Sequence, residues 1–281
     1  ITRPNFLKDK KNNKVCTLAL KEFFEQNQTE LQKNYPGITL RRLKQDYELA
    51  ADKQKFLKDV LQGRPLEYII ENSFFYRSDF YVDSRVLIPR SESEILVESL
   101  INIELEFKEK QISVCEIGVG SFALGLSYLI DSKKEVSFTG TDISEAALSV
   151  AHINKEKHRN KISGHKIKLV ETDRLNDIDN EFHIIFTNPP YIKESQIIDV
   201  HLQTQKYEPH IALFLSDENY SQWFDKLFSQ VNSQLKKQGH FIMEGHEDNL
   251  EQLRDLAQQY FYDVKLIKDY TDRYRFLTGR K

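Results

Sequence analysis

Val114-Cys115-Glu116-Ile117-Gly118-Val119-Gly120-Ser121 is the stretch on which the fold turns. An apolar run passes through Gly-x-Gly and straight into the helical pattern that begins at Phe122-Ala123-Leu124. Glycines allow a sharp strand-to-helix turn and let the backbone approach a nucleotide-like ligand closely. Steric need alone can also place glycines there, so the surrounding pattern has to decide. Working outward, strands are expected at 112–117, 136–141, 166–171, 182–187, 239–244, 262–267 and near 274–278. Helical stretches fall between most of them, such as Ser144 to Lys157 and Gln222 to Lys237. Alternating strand and helix predicts an α/β fold, a doubly wound and mostly parallel sheet covered on both faces. Phe241-Ile242-Met243 and Tyr274 to Thr278 are expected as its late edge strands.

Upstream the pattern changes. Residues 1–62 carry apolar positions at helical spacing, among them Val15, Leu18, Phe23, Leu31, Leu43, Phe56 and Leu61, with Tyr35-Pro36-Gly37 as a turn. A small N-terminal helical domain follows. Gly63-Arg64-Pro65 closes it, and the alternation over 68–88 predicts a β-hairpin linker, 63–90, to a catalytic domain over 91–281. Ser91 and Glu94 have capping-box spacing, which predicts a helix from there to about Lys108.

Composition narrows the function classes. With 281 residues, 40% hydrophobic and 11% aromatic, the chain can bury a core and is not of disordered composition. The longest apolar stretch, Val114 to Ile130, is broken by Glu116 and by glycines, so no membrane span is expected. Lys8, Asp9, Lys10 and Lys11 stand where a secretory signal would be apolar, and the natural start is expected upstream of Ile1. Cys16 and Cys115 make neither a disulfide framework nor a metal knuckle, and His183, His210 and His246 lack ligand spacing, so a cytoplasmic location and no metal are expected. The net charge is -3, yet residues 1–66 hold 14 basic against 8 acidic side chains, leaving the rest strongly acidic. That balance argues against duplex DNA, whose phosphates call for a basic face.

Four motifs carry the chemistry. The glycine turn is the first. Asp142, after Thr139-Gly140-Thr141, sits where a carboxylate can accept both hydroxyls of a ribose, although a helix N-cap by Asp142 or Ser144 would explain it too. Asp173, just past the third strand, could accept from an adenine amino group or be a plain surface acid. The most specific signal is Phe182-His183-Ile184-Ile185-Phe186-Thr187-Asn188-Pro189-Pro190-Tyr191, a buried strand ending in Asn-Pro-Pro-Tyr. Two prolines remove two N–H donors and stiffen the turn, leaving carbonyls to face a cleft. Asn188 adds a side-chain carbonyl and Tyr191 a flat apolar face. Such a set suits a planar group bearing an NH2, an amide or a base amine.

With these residues in view, the chain resembles the amino-methyltransferases that use S-adenosylmethionine, and more narrowly the release-factor glutamine N5-methyltransferases. The likeness spans about Gly63 to Arg280. It includes Gly63-Arg64-Pro65-Leu66-Glu67-Tyr68-Ile69, Val86-Leu87-Ile88-Pro89-Arg90, Asn188-Pro189-Pro190-Tyr191-Ile192, Tyr207-Glu208-Pro209, Ala212-Leu213-Phe214 and the tail to Gly279-Arg280. The resemblance implies a Rossmann-like, seven-stranded methyltransferase fold and an N-terminal domain that helps hold the release factor. It implies Asn188, Pro189 and Tyr191 as catalytic residues. It implies Glu116, Gly118, Gly120, Asp142, Asp173, Asn188 and Arg90 as cofactor-binding, with Glu116 beside the methionine moiety. The expected partner is a peptide chain release factor as protein substrate of a monomeric enzyme, with no membrane and no direct nucleic acid. Methylation of a ribosomal-protein glutamine, of a DNA adenine, or a non-catalytic scaffold are the competing readings. Phe122 replaces the family's third glycine and is expected to crowd either the cofactor's methionine end or the helix–strand packing. Ser91-Glu92 and Leu215-Ser216-Asp217 are further departures.

Overall fold

The computed structural model describes residues 20–281. Val15, Leu18 and Cys16 lie outside the described residues. The chain divides into two compact units between Glu71 and Asn72.

In the first unit, residues 20–26 are helical and are followed by α1 (Gln28–Asn34), α2 (Leu40–Leu49) and α3 (Lys53–Leu61). The starts of the last two are explained by their caps: Thr39 accepts from Arg42 N, and Asp52 from Gln54 N and Lys55 N. Leu31, Leu43, Phe56 and Val60 form the core. Tyr35 closes the unit by donating its hydroxyl to Val60 O and Arg64 O.

The hairpin is shorter than the alternation predicts. Leu66–Ile69 is a helical turn opened by Pro65, and only β1 (Ser73–Phe75) and β2 (Ser78–Phe80) pair. The reason lies just beyond. Tyr81 N and Tyr81 O are satisfied by the Asn154 side chain at 2.7 and 2.9 Å, and Ile88 N by Glu208 at 3.1 Å, so 81–88 finds side-chain partners in place of a strand. The capping box is likewise absent. Ser91–Ser93 is a 3-10 turn, the helix proper is α4 (Glu94–Glu104), and Glu94 accepts from Tyr76 N.

The second unit carries a seven-stranded sheet: β3 (Gln111–Ile117), β4 (Glu135–Asp142), β5 (Lys166–Glu171), β6 (Phe182–Thr187), β9 (Leu235–Glu244), β10 (Tyr262–Lys268) and β11 (Tyr274–Arg280). A two-stranded patch, β7 (Ile192–Lys193) with β8 (Phe214–Leu215), lies outside it. The order is β10-β11-β9-β6-β3-β4-β5, parallel except for β11, which is antiparallel to both neighbours. The edges are therefore β10 and β5, and β9 and β11 lie inside the sheet, contrary to the edge placement expected for them. Both faces are covered. Successive residues of a strand point to opposite faces, and Val114 and Ile184 enter one apolar cluster while Cys115 and Ile185 enter the other. Helices α5 (Ala123–Asp131), α6 (Glu145–His158), α7 (Tyr220–Gln234) and α8 (Glu247–Ala257) supply the two layers. No described helix is long and apolar enough to cross a membrane.

Candidate active site

The first strand of the sheet, β3, has β4 on one side and β6 on the other, and the chain reverses direction of travel there. A crevice opens beyond the carboxyl ends of strands at such a switch point. A cavity of about 240 Å³ occupies it, and Gly118, Gly120, Asp142, Asp173, Asn188, Pro189 and Arg90 all line it. The sequence scatters these seven over about a hundred residues; the topology collects them.

The glycine turn is tied down from behind, since Gly118 N and Val119 N both donate to Thr141 O at 2.7 and 2.9 Å. Gly118 and Gly120 have φ of 75° and 49°, and a Cβ on either would meet no atom within 4 Å. The space in front of the turn is therefore open, as a ligand lying against the backbone requires. Asp142 accepts from Gly120 N through Oδ2 and from Ser144 N through Oδ1, each at 2.9 Å. Ser144 is the actual helix cap, accepting from Ala147 N. A carboxylate has about four lone-pair positions, so Asp142 can brace the turn and still accept ribose hydroxyls. Its burial raises its pKa above the ordinary value, against the pull of those N–H groups. These features fit a nucleoside with an attached chain.

Asp173 is engaged through Oδ2 by Arg174 at 2.7 Å and Lys226 at 3.5 Å. Arg174 in turn lies over the ring of Trp223 at 4.8 Å, and both line the cavity. Neither was singled out from the sequence, although Trp223 is the only tryptophan. The Arg90 guanidinium is held by Glu208, whose other oxygen accepts from Ile88 N. Arg90 thus joins the 86–90 wall to the 207–209 wall.

Glu116 and Tyr191 are not part of the cavity lining. Glu116 is 1% exposed and packed behind the turn. A Cβ on Gly125 would lie 2.3 Å from its Oε2 and 2.5 Å from the Phe122 ring. Burial, then the Asp142 charge, push its carboxyl well above the ordinary range, with only slight relief from the Gly125 N–H. Phe122 does not crowd the cavity either. Its backbone takes the left-handed conformation, φ 65°, and its ring is fully buried against Phe138 with centroids 5.2 Å apart. The third-glycine position has been filled from the core side.

Tyr191 donates its hydroxyl to Glu244 Oε1 at 3.0 Å, and its backbone oxygen accepts from Tyr220. Glu244, the last residue of β9, also receives Asn188 Nδ2 at 3.0 Å and the Ser93 hydroxyl. Sequence reasoning missed Glu244. The available signal was an acid closing the apolar run Phe241-Ile242-Met243, beside the strand that ends at Thr187, just before Asn188.

Comparison with known proteins gives the family. The family model described as "Methyltransferase domain" matches residues 108–278. A release factor glutamine methyltransferase of Chlorobaculum tepidum is 31% identical over 222 residues, 76% of this chain and 73% of that protein. Another, of Streptococcus pneumoniae, is 35% identical over 206 residues, 72% of this chain and 70% of its own length. The solved 16S rRNA N2 G1207 methyltransferase of T. thermophilus, in complex with AdoMet and guanosine, shares the fold with a TM-score of 0.50 and 15% identity, over 75% of this chain and 49% of that one. The family match over more than half of the chain and the relatives make this an S-adenosylmethionine-dependent methyltransferase. Within that class, the chain belongs to the release factor glutamine methyltransferase family.

Proposed function

We propose that the protein methylates N5 of the glutamine in the Gly-Gly-Gln tripeptide of a peptide chain release factor, in the cytoplasm and as a monomer. One observation carries this reading: Asn188 and Pro189, at the stiffened exit of β6, line the same cavity as the glycine turn and Asp142. An amide nitrogen is a weak nucleophile because its lone pair is delocalised into the carbonyl. The Asn188 side-chain oxygen and the Pro189 backbone oxygen would accept its two N–H bonds and hold it facing the cofactor end of the cavity. Such positioning can contribute about 7–11 kcal/mol in the best intramolecular cases. The same oxygens favour the positive charge that grows on nitrogen. S-adenosylmethionine supplies the electrophilic methyl group; the proton lost from nitrogen can pass to water, so no strong base is needed.

In this reading Gly118, Gly120, Asp142 and Asp173 hold the cofactor, with Asn188 shared between cofactor and acceptor. Arg90, engaged with Glu208, braces the walls, and Tyr191 supports Asn188 from behind. Glu116 lies under the methionine end as packing. Ile211 lines the cavity and is exposed, and Ile197, Ile198 and Leu202 are exposed elsewhere on the same 192–215 excursion, apolar surface that suits a protein acceptor better than a nucleic acid. The helical residues 1–62 would help hold the release factor, the 63–90 segment links, and 91–281 catalyses.

The test is direct. The protein is incubated with labelled cofactor and a purified release factor, and the added methyl is located by mass spectrometry. Asn188→Ala should lower kcat by roughly 10²–10³-fold, while S-adenosylhomocysteine binding by calorimetry stays within a few-fold. Unchanged turnover, or a methyl on another residue, would refute the reading.

A further inference from the structure

We propose that Glu244 is a positioning residue: it fixes the Asn188 amide so that its oxygen, not its NH2, is presented to the cavity. The inference rests on the amide-acceptor reading of the site. Its physical basis is a convergence of donors. Glu244 Oε2 receives the Ser93 hydroxyl at 2.5 Å and Asn188 Nδ2 at 3.0 Å; Glu244 Oε1 receives the Tyr191 hydroxyl at 3.0 Å. Asn188 Nδ2 also lies 3.3 Å from Ser93 Oγ. The donors come from three places in the chain, the start of α4, the exit of β6 and the loop after it, and meet on the end of β9.

An ionised carboxylate only accepts hydrogen bonds, and an asparagine offers donors on one side of its amide and an acceptor on the other. With the NH2 committed to Glu244, the Oδ1 edge is turned away from it. Asn188 lines the cavity, so that edge is what an incoming amide meets. Reversed, Asn188 would present two N–H groups to a substrate NH2, donor against donor, and the site would reject it. Glu244 is 1% exposed, and burial raises its pKa. The Ser93 and Tyr191 hydroxyls and the nearby Arg275 charge oppose that rise, while Glu92 adds to it. Arg275 is itself held by Asp269 at 3.4 Å. The three hydrogen-bond donors and Arg275 thus work against the rise that burial causes.

A neutral, similarly shaped side chain separates this role from mere packing. Glu244→Gln can donate as well as accept, and so no longer dictates which way Asn188 faces. In the variant kcat should fall by roughly 10²-fold, the scale of a misplaced reacting group. S-adenosylhomocysteine affinity and KM for the cofactor should stay within about threefold. The side-chain amide NMR signals of Asn188, assigned through Asn188→Asp, should shift between wild type and variant in the S-adenosylhomocysteine complex. That signal is independent of turnover, so a wild-type protein inactive on release factors would sink the functional reading and leave this one to be judged separately. Superimposable Asn188 signals, or an equal loss of cofactor-product binding and kcat, would overturn the proposal. Should Glu244→Gln not fold, Glu244→Asp keeps the charge but withdraws it by one carbon, and the same signals and the same kcat loss decide.

Discussion

Two glutamates, Glu116 and Glu244, are each 1% exposed and each sits at the carboxyl end of a central strand, with β6 between those strands. Their surroundings differ completely. Glu244 collects three donors and the field of Arg275. Glu116 is packed close to Gly125, its oxygens meet no partner of good geometry among the described residues, and the charge that acts on it is the like charge of Asp142. Burial raises both, but Glu116 has no cluster of donors and fills space, whereas Glu244 is an acceptor that arranges its neighbours. A buried carboxylate becomes an organising group through the donors brought to it, and burial alone supplies none.

Replacing each by methionine breaks the comparison at its largest. Glu244→Met strands three donors, and an unmet buried donor costs about 1–3 kcal/mol; some relaxation leaves a net loss of about 3–5 kcal/mol. Glu116→Met removes an unpartnered polar group and should stabilise by about 1 kcal/mol, the low end of that cost. Trp223, the only tryptophan, stands in the cavity wall and lets fluorescence follow unfolding of the catalytic unit. Equal losses from the two substitutions would show that Glu116 has a partner after all.

Phe122 sharpens the same contrast at a middle scale. Its left-handed backbone costs roughly 1–2 kcal/mol for a non-glycine residue. Its buried ring, lost, would cost about 3–5 kcal/mol. Phe122→Gly should therefore destabilise by about 2–3 kcal/mol in the same unfolding experiment. S-adenosylhomocysteine affinity should change less than a few-fold, because the ring is not in the cavity lining. A gain in affinity of tenfold or more would mean that Phe122 crowds the cofactor.

What could be read in the sequence followed from local pattern. The seven strands of the sheet were legible because alternating and continuous apolar runs set strand positions directly, and Asn-Pro-Pro-Tyr was legible because two prolines after a buried strand have few other uses. The edge order was not, since β9 and β11 read as strands without any mark of their neighbours; the antiparallel insertion of β11 between β9 and β10 is a tertiary choice. The 68–88 alternation misled because Asn154, some 70 residues away, supplies the hydrogen bonds that a partner strand would have given. Glu116 and Tyr191 were placed at the ligand by motif position, whereas side-chain direction sends one behind the turn and the other to Glu244. Glu244 itself stayed hidden because its meaning depends on Ser93, Asn188 and Tyr191, up to about 150 residues distant in the chain.

The smallest effect is the one most particular to the contrast. Because the folded pKa of Glu116 is raised, its contribution to stability is full below the unfolded carboxylate pKa and is lost as pH climbs toward the folded value. Over that window the wild-type fold must either hold a proton the unfolded chain would release or bury a charge. The penalty grows by at most about 1.4 kcal/mol per pH unit. Glu116→Gln has no proton to hold. Whatever fixed offset its amide brings, the stability difference between variant and wild type should tilt in favour of the variant as pH rises from 5 to 8. Glu244→Gln should show a smaller tilt, since three donors and Arg275 restrain the rise there. Thermal unfolding at four pH values measures both slopes, and a flat line for Glu116→Gln would mean that this carboxyl is ionised in the fold.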